Sequence, residues 1–255
     1  MSSMQRRKNP IPSRLLLVLA SLAIAACGGA PQPQSQPAPS ESTDLTGETS
    51  VKPGINDSFL KADSAAEFAQ KFETESREIY TQRQAIVAKL GLRQGQAIAD
   101  VGSGTGLFLR AFSDTVGPSG KVFAVDIAPA MVSWITQRAK REGLTNVVPV
   151  QCTAKSTELP EASVDVVFVC DTYHHFEFPH NTLASIHRAL RTGGSLCVID
   201  FHRIPGQSSE WTLNHVRAGE DVVRQEILDA GFEFVEGSHD LLKDNWYARF
   251  RKVAR

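Results

Sequence analysis

The sequence has little of what marks several common protein classes. Its four cysteines include no CxxC pair and no regular spacing, which argues against the usual zinc frameworks and a disulfide scaffold. Aromatic residues make up only 7% of the chain, and the 27 basic and 28 acidic residues nearly cancel. No Lys/Arg-rich run occurs in the part expected to fold, so nucleic acid is not an expected partner.

A long hydrophobic run is also missing, although a short one lies near the N-terminus. Residues 15–26 form an apolar stretch behind four basic residues (Arg6, Arg7, Lys8 and Arg14), and it is shorter than the roughly 20 residues of a spanning helix. This layout is typical of an export signal. The stretch ends in Ile24-Ala25-Ala26-Cys27, which resembles the lipobox of bacterial lipoproteins. The alternative is an ordinary signal peptide with a chance cysteine.

The lipobox resemblance implies that residues 1–27 are a signal peptide and that Cys27 is acylated. Residues 28–58 are rich in Pro, Gln, Ser, Thr and Gly, a composition that predicts a disordered tether. Gly28 after the cysteine implies an outer-membrane anchor under the lipoprotein sorting pattern. We therefore expect a periplasm-facing protein held in the cell envelope by Cys27, with a folded domain over residues 59–255.

Short β-branched runs alternate with helical periodicity in this predicted domain. The predicted strands are 97–101, 121–126, 146–151, 164–170, 195–201, 232–236 and 245–252, and the predicted helices are 62–72, 76–90, 105–115, 128–142, 180–191 and 219–230. Alternation of this kind predicts an α/β fold with a parallel sheet covered on both faces. The last two strands have no long helix between them, so we expect an antiparallel pair.

A glycine-rich loop follows the first strand. It reads Asp100-Val101-Gly102-Ser103-Gly104-Thr105-Gly106. Gly102 permits a tight turn, Gly104 lets a ligand lie against bare backbone, and Gly106 allows close helix packing. Many nucleotide sites have such a loop, but here the spacing is GxGxG rather than the dinucleotide pattern.

A second acidic residue, Asp126, ends the next strand. A carboxylate at this position can accept hydrogen bonds from both ribose hydroxyls of an adenosine ligand. The structural alternative is that Asp126 caps the following helix, and one carboxylate can do both.

Together these segments resemble the class I S-adenosylmethionine-dependent methyltransferases, in particular the branch containing the quinone-biosynthesis C-methyltransferases. The resemblance covers about residues 75–255, including Leu159–Val167, similar to the family's approach to its fourth strand, and Ala189–Leu196, similar to its turn into the fifth. It implies a Rossmann-like, doubly wound, seven-stranded sheet in the order 3-2-1-4-5-7-6 with the last strand antiparallel.

The resemblance also implies the cofactor, S-adenosylmethionine, and its contacts. Asp100 and the loop residues Gly102, Ser103, Gly104, Thr105 and Gly106 correspond to the part that holds the methionine moiety. Asp126 corresponds to the ribose-binding acid, with Ile127 beside it. The family's adenine-binding acid after the third strand is absent here, where the chain reads Gln151-Cys152-Thr153, so Thr153 or backbone groups are expected to substitute.

Polar residues follow the fourth strand, in Cys170-Asp171-Thr172-Tyr173-His174-His175. Ligands bind at the switch point between strands 1 and 4 of such a sheet, so these side chains are expected beside the methyl group. An imidazole suits proton removal from an acceptor. The preferred base is His175, then His174, with Asp171 orienting one of them or contacting the cofactor. The alternative is a polar loop whose histidines pack on the next helix.

No metal site is predicted, because His174, His175, Glu177 and His180 match no familiar ligand spacing. His202, just past the fifth strand, is expected in a solvated loop, and the alternative is that it faces the cleft. Trp211 and His215-Val216-Arg217 are candidates for acceptor contact.

The predicted function is therefore methyl transfer from S-adenosylmethionine to a small or lipid-like acceptor. The alternative is a lipid-anchored protein that binds an adenosyl ligand or metabolite without catalysis. A nicotinamide-dependent dehydrogenase fits the glycine spacing less well.

Overall fold

Seven mostly apolar segments pair into one sheet in the computed structural model, which describes residues 47–74 and 77–253. In these residues the strands are β1 (Ala97–Val101), β2 (Lys121–Asp126), β3 (Val147–Gln151), β4 (Val164–Cys170), β5 (Leu190–Phe201), β6 (Phe232–Ser238) and β7 (Asn245–Lys252). The order is β3-β2-β1-β4-β5-β7-β6. β1 to β5 are parallel, and β7 runs antiparallel to both β5 and β6. The predicted Rossmann-like sheet, including its order, is confirmed.

Helices cover both faces of the sheet. The α-helices of the described residues are α1 (Asp57–Leu60), α2 (Ala66–Phe72), α3 (Glu78–Thr81), α4 (Arg83–Leu90), α5 (Leu109–Val116), α6 (Pro129–Glu142), α7 (Pro179–Ala189), α8 (Glu210–His215) and α9 (Glu220–Asp229). Side chains of β1 alternate between two apolar cores: Ala97, Ala99 and Val101 join one, and Ile98 joins the other. The first core contains α7 and α9, and the second contains α4, α5 and α6. This two-sided burial explains why the central strands read as continuous apolar runs.

Three predicted helices are shorter than their sequence patterns suggest, each because a local polar or glycine contact intervenes. α2 begins at Ala66 rather than residue 62, where the Ser64 hydroxyl accepts a hydrogen bond from the Ala66 N–H. The predicted helix 76–90 is divided into α3 and α4, and the Thr81 hydroxyl bonds back to the Glu78 carbonyl. Such side-chain bonds compete with the helical ladder. α5 begins at Leu109 because the preceding glycines adopt positive φ angles.

The chain before α1 lies against the domain. The Glu48 carboxylate accepts hydrogen bonds from the backbone N–H groups of His180 and Asn181 at the start of α7, and the Val51 N–H donates to the Glu177 carbonyl. The predicted tether included residues 47–58, whereas the structure holds these residues on the domain through polar contacts that composition does not reveal. The signal peptide, Cys27 and the rest of the tether lie outside the described residues. Among those residues, no helix has the length and apolar character needed to cross a membrane.

Candidate functional site

The glycine loop between β1 and α5 borders a cavity at the carboxyl end of the sheet. All the predicted cofactor-binding residues line this cavity except Gly106. A Cβ atom on Gly106 would lie 2.4 Å from Leu109, so its role is helix packing. Gly102 has φ +76°, and a Cβ atom there would lie 2.1 Å from the Thr172 side chain. At Gly104 the same atom would meet only the Phe72 ring, at 3.8 Å. Its backbone is therefore open to a ligand, as predicted.

Two buried carboxyl groups, Asp100 and Asp126, stand at the ends of β1 and β2. Asp126 accepts hydrogen bonds from the Gly104 N–H at 2.8 Å and from the Ala128 N–H at 2.9 Å. It therefore braces the glycine loop and the start of α6 together. Its pKa is raised by burial, against the lowering effect of these bonds. The Asp100 Oδ2 atom is buried and has no partner among the described residues. Burial, and then the charge of Asp126, raise the Asp100 pKa to about 7.

Asp171, at the end of β4, does not orient either neighbouring histidine. It has φ +50°, and its carboxylate accepts hydrogen bonds from the Arg77 guanidinium and, at 2.7 Å, from the Asn245 side chain. Burial raises the Asp171 pKa to about 6, while Arg77 opposes the shift. The proposed orienting role fails because Arg77 and Asn245, both remote in sequence, engage this carboxylate. Asp171 does line the cavity, where a cofactor contact remains open to it.

Asp200, near the end of β5, is the carboxylate that orients a histidine. Its Oδ1 atom lies 2.7 Å from His174 Nδ1, and its Oδ2 accepts the His174 backbone N–H at 2.9 Å. Both side chains are 3% exposed. An ionised Asp200 fixes the proton on Nδ1 and leaves Nε2 with the lone pair. Asp200 is not among the site residues predicted from the sequence, although an acidic residue near the carboxyl end of a central strand is a usable signal.

His175, the preferred base from sequence, lies in a different environment. Burial, followed by the neighbouring His174 and His215, lowers its pKa to about 2. Its Nδ1 atom is buried and unpartnered among the described residues. A ring with so low a pKa is a weak proton acceptor, so the surroundings of His175 favour His174 as the base.

The segment around α8 supplies part of the same cavity. Trp211 and His215, two of the candidates for acceptor contact, line it, and their rings stack at 4.7 Å. Arg217 instead forms a two-bond ion pair with Glu226.

His202 lies outside the cavity lining and packs edge-on against His239 at 5.2 Å. The Glu177 carboxylate accepts hydrogen bonds from Ser50 and Asn56, and the His180 backbone N–H donates to Glu48.

Residues in and beside the N-terminal helices α1 and α2 also contribute to the cavity, and none of them was predicted from the sequence. Asn56, Phe59 and Phe72 line the cavity. The Thr105 hydroxyl of the glycine loop donates to Glu73, which also pairs with Arg138 of α6. Glu73, directly after α2, is thereby fixed against the loop.

Comparisons with known proteins agree with this geometry. The methyltransferase domain family matches residues 99–198. The ubiquinone/menaquinone biosynthesis C-methyltransferase UbiE of Pasteurella multocida is 28% identical over 174 residues, which cover 57% of this chain and 65% of that protein. The UbiE protein of Erwinia tasmaniensis is 32% identical over 114 residues, 44% of this chain and 45% of that protein. The chain thus spans less than two thirds of these relatives.

A solved structure covers more of the fold. A SAM-dependent methyltransferase from Aquifex aeolicus is 26% identical, with a TM-score of 0.66, and the match covers 73% of this chain and 98% of that one. The chain carries a class I methyltransferase domain.

The site of this methyltransferase domain fits the cofactor of the class, S-adenosylmethionine. The unpartnered Asp100 Oδ2 offers a buried acceptor for the cofactor's ammonium group. The open backbone at Gly104 admits the methionine moiety, and the Asp126 oxygens retain lone pairs for hydroxyl donors.

In this methyltransferase domain, the part of the cavity expected to hold adenine has fewer free side-chain hydrogen-bonding groups. Ile127 and Thr153 line the cavity, but the Thr153 hydroxyl already accepts the Ser156 N–H at 3.1 Å. Backbone hydrogen bonds and apolar contacts are therefore the main interactions available to the adenine ring.

Proposed function

We propose that this domain transfers the methyl group of S-adenosylmethionine to a small, largely apolar acceptor. The proposal rests on a single cavity whose two halves are lined by different kinds of residue. One half holds Asp100, Asp126 and the glycine loop, and the other holds histidine and aromatic side chains. S-adenosylmethionine supplies an electrophilic methyl group for in-line displacement, so the chain's main contribution is to position the acceptor beside it.

The acceptor half favours an aromatic or lipid-like molecule. Its walls include Phe59, Phe176, Phe201 and Trp211, which offer apolar surface and ring faces. The curated relatives are named for methyl transfer in ubiquinone and menaquinone biosynthesis. A hydroquinone or phenol with an unsubstituted ring carbon is therefore the acceptor class that we propose.

Proton removal from such an acceptor falls to His174. The Asp200 carboxylate fixes the tautomer and stabilises the imidazolium that forms. This assignment replaces His175, whose pKa is lowered and which has no carboxylate partner in the part of the chain that the structure describes.

The proposed location is the bacterial cell envelope, with the domain facing the periplasm. The support is the sequence of residues 1–58: a basic start, an apolar run, Cys27 in a lipobox and a Pro/Gln/Ser-rich stretch. Acyl chains on Cys27 would hold the protein at the membrane without a spanning helix.

Cofactor binding tests the first half of the proposal. Equilibrium dialysis of the purified chain with tritiated S-adenosylmethionine should show one saturable site, unaffected by excess NADH. Preferential binding of NADH would contradict it. A matched control is Asp165→Asn, because Asp165 binds Ala97 and Arg191 at the opposite end of the sheet and should leave binding unchanged.

Methyl transfer tests the second half. The chain is incubated with methyl-labelled cofactor and a benzohydroquinone or naphthohydroquinone bearing a free ring position, and the extracted product is counted. Label in the quinone fraction, reduced in Asp126→Asn, supports the enzyme. Saturable cofactor binding with no transfer to these acceptors or to a membrane lipid extract would favour the non-catalytic binding protein.

A further inference from the structure

Three imidazoles meet at the acceptor side of the cavity. His174 and His175 lie in the short 3-10 turn Tyr173–His175 after β4, and His215 ends α8, 40 residues beyond His175. One ring nitrogen from each lies within 4.8 Å of the other two. The Nε2 atoms of His175 and His215 are 3.4 Å apart. Two nitrogen ligands at about 2.0–2.1 Å from a tetrahedral Zn²⁺ are separated by about 3.3–3.4 Å.

The His174 ring has the carboxylate contact that metal-binding histidines usually have. His174 Nδ1 lies 2.7 Å from the buried Asp200 carboxylate, which leaves Nε2 as the ligand atom. A carboxylate that accepts the second N–H of a ligating histidine sets its tautomer and raises its basicity. Asp200 is fixed in turn by the backbone N–H groups of His174 and Phe201.

Aromatic rings pack around the three histidines. Trp211 stacks on His215 at 4.7 Å, Phe59 meets the edge of His175 at 5.4 Å, and Phe201 meets His174 at 5.8 Å. These ring contacts restrain the orientation of the three imidazoles. The nearby cation Lys52 donates to the carbonyls of Asn214 and His215, so it anchors the end of α8 but opposes a second positive charge.

We propose a site for one divalent first-row transition-metal ion, with His174, His175 and His215 as its ligands. Zn²⁺ is the ion whose geometry is compared with the site. Imidazole nitrogen is a preferred donor for such ions, and three protein ligands leave a fourth position open. All three histidines line the cavity, so an oxygen atom of the acceptor could occupy that position. This last point rests on the proposed function, whereas the ion site itself does not.

Ion binding and base catalysis are mutually exclusive at His174. Its Nε2 carries one lone pair, which either coordinates the ion or takes a proton. In the ion-bound protein, the ion would therefore polarise the acceptor oxygen in place of the imidazole.

The test uses the full chain, freed of metal by chelator dialysis and without cofactor. Titration with Co²⁺ should give the intense visible absorption of a tetrahedral site, with one equivalent bound, and Zn²⁺ should displace it. Calorimetry with Zn²⁺ gives the affinity. Asp200→Asn should weaken Zn²⁺ binding by about 10–100-fold, and His215→Gln should weaken it further.

The matched control is His202→Gln, which removes an imidazole outside the cavity lining and should leave ion affinity unchanged. Circular dichroism confirms that each variant folds. An octahedral or absent Co²⁺ spectrum in the wild-type chain would overturn the proposal without reference to any variant. Equal Zn²⁺ affinity in wild type and His215→Gln would also overturn it. Because neither cofactor nor acceptor is present, failure of methyl transfer would not affect these results.

Discussion

Asp200 contacts His174 twice, once at the ring and once at the backbone. The Oδ1–Nδ1 separation is 2.7 Å, and the Oδ2 atom accepts the backbone N–H at 2.9 Å. One carboxylate thus fixes both the position of the turn after β4 and the tautomer of its first histidine.

Asp200→Asn should change the His174 tautomer while keeping the side chain's size. The amide can present either its carbonyl oxygen or its NH₂ group to Nδ1, so the Nε2 lone pair is no longer enforced. We expect the ¹⁵N shifts of His174 to show a mixture of tautomers, with folding stability lowered by about 1–3 kcal/mol. Unchanged ¹⁵N shifts would mean that Asp200 does not set the tautomer. His239→Gln, at an exposed pair with Glu220, is the control.

Asp126→Asn should weaken cofactor binding. Loss of the charge-assisted contact to the ribose hydroxyls should cost about 2 kcal/mol, roughly 30-fold in affinity. Calorimetry gives the affinity, and thermal unfolding shows how much of the loss comes from the bonds to Gly104 and Ala128. An affinity equal to that of the wild type would remove Asp126 from the cofactor site.

Cofactor binding should be linked to ionisation of Asp100. With a pKa of about 7 in the free domain, this carboxyl is largely protonated at pH 6, and a bound ammonium group would favour its ionised form. Affinity should therefore rise with pH until about pH 7 and then level off. Calorimetry at pH 6 in buffers of different ionisation enthalpy should detect proton release that disappears in Asp100→Asn.

The same ionisation has an opposite effect on the stability of the cofactor-free domain. Because the Asp100 pKa is higher in the folded than in the unfolded state, the folded state holds more protons between about pH 4 and pH 7. The contribution of Asp100 to the free energy of unfolding is complete below that window and is lost as the pH rises through it. Asp100→Asn should flatten this part of the stability profile.

Gly102→Ala should lower the free energy of unfolding by far more than the cost of its left-handed backbone conformation alone. Its new methyl group would meet Thr172 at 2.1 Å, whereas at Gly143, with φ +67°, a methyl group meets nothing within 4 Å. Gly143→Ala should cost about 1–2 kcal/mol for the left-handed conformation. Chemical denaturation should show a larger loss for Gly102→Ala, partly recovered by adding Thr172→Gly. Equal losses at the two glycines would show that the clash is relieved elsewhere.

Cys27→Ser should release the protein from the membrane. The proposed acylation depends on the thiol, and two or three acyl chains anchor stably where one does not. Fractionation should find the variant as an uncleaved or soluble form, and globomycin should block processing of the wild type. Unchanged processing and fractionation under both conditions would contradict the lipobox interpretation.

The sequence predicted the features that are determined locally. β1, β2 and β4 are buried runs with clear ends, and Asp126 could be placed because a strand end and a glycine loop define its surroundings. The acceptor half depends on contacts between distant segments instead. Asn56 donates to the His175 carbonyl across 119 positions, and His215 reaches His175 across 40. Neither contact has a periodic or spacing signal, so neither could be read from one sequence.

The sequence positions of the acceptor-half residues limit what relatives reveal about the acceptor. Asn56, Phe59, Phe201, Trp211 and His215 all lie outside residues 99–198, the part that matches the methyltransferase domain family. The family match therefore covers the cofactor half and, in the acceptor half, His174, His175 and Phe176, but it gives no guide to these other acceptor-half walls. Two proteins could share the glycine loop and Asp126 almost unchanged and still methylate unrelated molecules.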